Sequence, residues 1–427
     1  MELQGLSTDQ APPLSVPIRF FTTAPLFGII AGFIIFFTDS SILMNRYSVE
    51  SIVITHLLTI GFLGFIMLGS LTQMLPVLAG AKIPKPQTIS MTSYTLLIVG
   101  SLSMVFGLLN DNDALTTIAF LGLGSGFLLI LTSIMLGIKT VKHFNATVKG
   151  MAISVGFAFS IVVMGMYMLY GYMSNDISSA HFIIANIHSV WAIFGFAGIL
   201  IISVSFQVLP MFYVAPKFKP FCKNRVVYII STGLMLWLFF NIYFDEYAFL
   251  AKIWLALFFL AFATTVWIKF NKRKRPVSDV TVWYWRSASI FLMLGVFLWI
   301  TDEYFKHEYI VMVAILIGGG FILSVMIGML YKIIPFLVWF HLNAMGYMNI
   351  PTMVEMIDKK LSKIQFLLFL ASLVGFIFSF YYSEFLKPSA LFFIISMIIL
   401  EYNITQPIRF YIQKKKTKPD FDMSMFK

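Results

Sequence analysis

The sequence predicts an all-α, polytopic membrane protein of twelve transmembrane helices in three pseudo-equivalent four-helix units. Three observations carry that prediction. Of 427 residues, 59% are hydrophobic and only 11% charged, with a mean hydropathy of +0.89, whereas soluble domains carry about 25% charged residues. Twelve apolar runs are long enough to cross a bilayer, which takes about 20 residues each. A short proline motif then recurs at an interval of four such runs. Disorder and a disulfide scaffold are excluded by 46 Phe and a single Cys.

Each span follows from a run bounded by charge, Pro or Gly. The first, 20–38, lies between Arg19 and Asp39, and the second, 51–75, between Glu50 and Pro76. The third, 91–110, follows the Lys82–Lys85 loop and stops at Asp111; the fourth, 114–138, runs from Asp113 to Lys139. The fifth, 150–173, starts after Lys149 and gives way to polar residues before Asp176. The sixth, 181–209, ends at Pro210, and the seventh, 226–243, begins after Arg225. The eighth, 249–269, runs from Glu246 to the basic stretch at Lys269, beyond which the ninth, 284–301, extends to Asp302. The tenth, 309–334, runs from Glu308 to Pro335. The eleventh, 364–382, follows Lys363, and the twelfth, 388–408, stops at Arg409.

Orientation follows from Lys and Arg. With the N-terminus in the cytoplasm, 25 of the 30 basic residues fall on the cytoplasmic side. Arg46, Lys252, Lys306 and Lys387 fall outside, and Lys332 lies within a span. Asp302 and Glu303, like Asp245 and Glu246, cap outer helix ends and are expected in solvent. An even number of spans, with both termini inside a bacterial cytoplasmic membrane, accounts for this bias. The first span serves as an uncleaved signal. The net charge of +11 is then explained by an anionic inner leaflet, so the lipid bilayer is the expected partner and nucleic acid is not. Cys222 falls in a basic loop and leaves no disulfide, thiolate cluster or haem-attachment motif.

The internal repeat is read from three span ends. Gln73 and Pro76, Gln207 and Pro210, and Lys332 and Pro335 share one spacing, with a small residue (Gly69, Ser203, Gly328) seven before each Pro. Gly61 and Gly64 match Gly195 and Gly198 at the same distances. The units are taken as 19–145, 146–275 and 276–410, followed by a basic tail at 411–427, all within one transmembrane domain. Pro ends or kinks each helix and frees carbonyls, which the Gln or Lys side chain is placed to bond. Glycines at short spacing admit a neighbouring helix. Spans two, six and ten are therefore expected to line the interior.

Ionisable residues inside spans are functional candidates. His56 lies in span two, His181 and His188 in span six, and His307 at the mouth of span ten. All four fall in the outer half of the membrane, while His143 and His341 are interfacial. Imidazole suits haem iron and copper. His181 and His188 lie on one helical face but about 10 Å apart along the axis, too far to share one copper on a straight helix. The plainer reading of each is a hydrogen-bonded structural His. Met164, Met166 and Met168 read as packing rather than a copper(I) site. Lys332 and Glu401 read as snorkelling side chains. Phosphate-loop, zinc-protease and nucleophile-elbow motifs have no sensible context here.

Twelve spans in three arcs of four, with His on spans two, six and ten, resemble subunit I of the haem–copper oxidases. The stretch holding His56, Gly61 and Gly64 and running on to Gln73, Pro76 and Gly80 is more similar to the NnrS family. The resemblance implies haem b, with copper as an additional metal, and a role in nitric-oxide or redox stress or in respiratory metal handling. It matches His56 to a haem ligand and His188 to a copper or haem ligand, with His181 and His307 as further metal contacts. It also implies a respiratory-chain subunit or a second copy of the chain as partner. The residue four after His188 is Ala192, not the Tyr an oxidase needs, and spans seven and ten lack the remaining copper and haem His. A functional terminal oxidase is therefore excluded. Repeats and Pro-broken spans also fit a secondary transporter with a His-lined central site, which is the alternative.

Overall fold

The computed structural model describes residues 11–174, 176–275, 278–305 and 308–421. Among the described residues, twelve helices are long and apolar enough to span a membrane. They are α1 Ser15–Phe37, α2 Val49–Ala79, α3 Pro86–Leu109, α4 Asp113–Lys139, α5 Ala146–Met173 and α6 Ser179–Tyr213. The second half comprises α7 Pro220–Tyr243, α8 Asp245–Asn271, α9 Val280–Thr301, α10 Ile310–Ala344, α11 Lys359–Phe378 and α12 Ser383–Lys414. No strand occurs among the described residues. Such a chain leaves no backbone polar group facing lipid unpaired, and the protein is an integral membrane protein of all-α class.

Local sequence sets the helix starts. Ser48, Asn112, Asn145, Asp279 and Asp358 accept backbone N–H groups at the starts of α2, α4, α5, α9 and α11. Pro86 and Pro220 open α3 and α7, where a missing N–H costs nothing. The helices pack in chain order around a ring that closes where α1 lies along α12. Inside the ring stand α2, α6 and α10, whose apolar windows are 67%, 72% and 67% buried.

Each inner helix changes winding at one place. The segments Leu57–Gly64, Trp191–Gly198 and Ile315–Leu323 are π-helical, and each ends twelve residues before its proline at 76, 210 or 335. In each, a glycine fifteen residues before the proline receives a phenylalanine from the preceding odd-numbered helix: Gly61 meets Phe27, Gly195 meets Phe157, and Gly320 meets Phe291. Two turns on, Gly69 lies against Phe20, Ser203 against Gly150, and Gly328 against Tyr284. These partners on α1, α5 and α9 are again seven residues apart.

None of the three helices ends at its proline. They run on to Ala79, Tyr213 and Ala344. The expected bond from the motif side chain to the freed carbonyls is absent at Gln73, whose amide nitrogen and oxygen are both enclosed without a partner. Lys332 does not snorkel. Its ammonium donates to Asp279 Oδ2 at 2.5 Å, and Asp279 Oδ1 caps α9 through the amides of Thr281 and Val282. Asp302, expected in solvent, is fully buried and accepts from the Tyr309 amide. Its neighbour Glu303 pairs at 2.8 Å with buried Lys252, which also lies over Trp299.

Candidate functional site

Two of the predicted histidines face each other across the helix interface. The imidazoles of His56, on α2, and His188, on α6, have centroids 6.3 Å apart and planes inclined by 33°. Both stand just before the π-helical segments of their helices. His56 Nδ1 lies 2.7 Å from the Ile52 carbonyl one turn back. A carbonyl only accepts, so Nδ1 carries the proton and Nε2 keeps its lone pair. Metal-bound histidines are commonly anchored in this way.

His188 is held differently. Its Nδ1 is enclosed and makes no hydrogen bond of standard geometry, although the Ile161 carbonyl of α5 lies nearby. The ring reaches this position because α5 has Gly165 opposite: a Cβ there would stand 3.3 Å from His188 Cε1. Close to the pair, Arg46 in the α1–α2 loop reaches Asn186 Oδ1 at 3.5 Å. The Asn186 amide donates to Asn241 Oδ1, and Asn241 donates to the Trp237 carbonyl. That chain ties the loop before α2 to α6 and α7, fixing the two histidine helices relative to each other.

The donor set discriminates between metals. Among the described residues, no group of three or more His, Cys, Asp or Glu could hold a metal ion. Zinc and copper(II) sites draw several ligands from the protein, of which the described pair supplies two. Haem iron brings its equatorial nitrogens and asks the protein only for axial ligands. The opposed imidazoles of His56 and His188 are ligands of that kind.

His181, also a predicted ligand, lies elsewhere. His181 is buried two turns from His188, with Tyr172 edge-on at 5.4 Å, Phe182 at 6.0 Å and Gly171 making room for its ring. His307 lies outside the described residues. Met166 packs beside Gly124, as a gap-filling residue does. His341, read as interfacial, stands inside α10 against Phe340, with Nε2 enclosed and unpartnered. Glu401 likewise has an enclosed, unpartnered Oε2.

Sequence reasoning missed Gly165 and Asn186. Neither stands in a motif, and their roles depend on how α5 and α7 pack against α6. Gly320 was legible: it stands fifteen residues before Pro335, as Gly61 and Gly195 stand before theirs. Compared with known proteins, the chain matches no family model and no curated protein.

Proposed function

We propose that the protein is an NnrS-like membrane haem protein in which His56 and His188 bind the iron of haem b. The observation that carries this reading is the opposed His56–His188 pair. Haem bound there supplies a one-electron couple. The Ile52 carbonyl would hold the His56 ring and its tautomer, and Gly165 would give His188 room to approach from α6. Held by both His56 and His188, the group would serve electron transfer, sensing or protection against nitric oxide rather than oxygen reduction. Ala192, where the oxidase pattern has Tyr, accords with that. We place the chain in a bacterial cytoplasmic membrane with both termini inside, beside a respiratory-chain subunit or a second copy.

The test is a dithionite-reduced minus oxidised spectrum of the purified protein, with metal analysis of the same sample. Sharp α and β bands and stoichiometric iron are expected; His56→Ala and His188→Ala should each abolish the bands while the protein still elutes as a folded monodisperse peak. A colourless, metal-free, well-folded protein from haem-supplied cells overturns the reading, and copper without iron transfers the pair to copper. One observation favours the transporter alternative: Gly318, in the π-helical segment of α10, faces open space, as an unwound substrate-lining segment would. Substrate flux in vesicles, lost in His56→Ala without any chromophore in the wild type, would support it.

A further inference from the structure

The corner between α8 and α9, at the proline end of the bundle, holds a guanidinium that makes no ion pair among the described residues. Arg286 stands in the second turn of α9, about 9 Å along the helix from its start, at the depth of the headgroup region. Its Nη2 donates to Asn271 Oδ1 at 3.2 Å, at the end of α8. The guanidinium carbon lies 5.8 Å from the centre of the Trp267 ring, one turn earlier. Its Nε is enclosed without any acceptor, and among the described residues Arg286 makes no ion pair.

A second guanidinium adjoins it. Arg273, on the loop after α8, donates to Ser278 Oγ at 2.6 Å. Burial first, and the charge of Arg286 second, push it below the ordinary guanidinium value. Asp279, the acid of this loop, offsets part of that, and it also serves Lys332 and the amides of Thr281 and Val282. Lys272, Lys274 and Arg275 add further positive charge beside the corner. A snorkelling Arg keeps its head in water, which does not leave Nε sealed off. Two neighbouring cations at the level of the headgroups, one with a donor left without an acceptor among the described residues, call for an anion with several acceptor oxygens.

We propose that this corner binds a phosphate group, that of an anionic membrane lipid, with Arg286 as its main ligand and Arg273 as the second cation. The guanidinium fork matches phosphate oxygens, basic pockets between transmembrane helices recognise such headgroups, and Trp267 suits the interface that the glycerol region occupies.

The experiment uses the full-length protein in a neutral detergent, with native mass spectrometry and thermal unfolding as readouts. Phosphatidylglycerol, phosphatidylcholine and inorganic phosphate are added separately. Phosphatidylglycerol should remain bound and raise the melting temperature more than phosphatidylcholine. Arg286→Gln should weaken its retention about tenfold, the loss of one charge-assisted bond, and Arg286→Lys should lie between. Arg273→Gln, outside the spans, should also weaken it and serves if Arg286→Gln does not fold. Lys415→Gln and Lys416→Gln in the exposed tail should change nothing. Equal retention of phosphatidylglycerol by wild type, Arg286→Gln and Arg273→Gln overturns the site. Stabilisation by inorganic phosphate equal to that by the lipid overturns the lipid as its source.

Discussion

Lys332 occupies in α10 the place that Gln73 and Gln207 hold in α2 and α6, and the exchange of amide for ammonium requires a counter-charge in a nearly dry setting. Asp279 provides it, with the Lys332 side chain 11% and the Asp279 side chain 31% exposed. Removing one partner of a buried pair leaves an unmatched charge and costs about 3–5 kcal/mol, whereas replacing both can be nearly neutral. Asp279→Asn keeps a good helix cap but strands Lys332. With Asp279 partly solvated, we expect a loss of about 2 kcal/mol. Asp279→Asn combined with Lys332→Gln, which restores the residue of the other two repeats, should recover most of it in thermal unfolding. Equal losses in single and double variants would show that the cap, not the ion pair, matters. Burial raises the Asp279 carboxyl, but the Lys332 charge and the bonds from Lys332, Thr281 and Val282 outweigh it, leaving it below the usual carboxylate range. A depressed folded value means that the pair stabilises above the unfolded value near about 4 and is lost as pH falls through the folded value. The melting temperature of the wild type should therefore drop towards that of Asp279→Asn below about pH 4.

At the level of single helices, the contacts that repeat are phenylalanine on glycine. Ala is normally worth about 1 kcal/mol more than Gly inside a helix, so a Gly→Ala change that destabilises reports a collision. A methyl group at Gly61 would collide with Phe27, and one at Gly320 with Phe291, whereas one at Gly318 meets nothing within 4 Å. Gly61→Ala and Gly320→Ala should lower the unfolding temperature in detergent, and Gly318→Ala should hold or raise it; a uniform rise across all three would mean that the phenylalanines simply move aside. The proline spacing behind this prediction was visible in the sequence, because Pro, Gly and Gln stand out in an apolar background. The π-helical windings were not, since a stretch such as Trp191–Gly198 is apolar all round and gives no periodicity to distinguish one winding from another. The histidine positions were visible and the resemblance named His56 and His188 together, but the meeting of their two rings was not legible from the residues. It depends on the rotation of α2 and α6 about their axes, which Gly165 and Asn186 help to set. Asp302 was misread for the same reason: an acid at a helix end looks solvated until the chain folds back over it through Tyr309.

For the molecule as a whole, the ring closed by α1 and α12 has two unlike ends, and one asymmetry remains to be fixed in the membrane. Loops at the proline end are joined to one another. Lys269 Nζ donates to the Pro216 and Lys217 carbonyls, Lys274 donates from its amide to Val214, and the chain after α12 returns to the α10–α11 loop, where Asp420 accepts the amides of Met348 and Asn349. Those amides hold the Asp420 carboxyl below its usual range. The basic residues gather at this end, so the positive-inside tendency predicts that it faces the cytoplasm. Cys222, the single thiol, stands at the start of α7 on that end and is partly accessible. A membrane-impermeant maleimide should therefore label it in inverted vesicles and not in intact cells. Tyr304, 94% exposed in the α9–α10 connection at the other end, supplies the reciprocal probe: Tyr304→Cys in a Cys222→Ser background should be labelled in intact cells and protected in inverted vesicles. The reverse pattern would invert the protein. It would also turn the His56–His188 end towards the cytoplasm, so this result decides from which compartment an electron donor or a small ligand approaches the histidine pair.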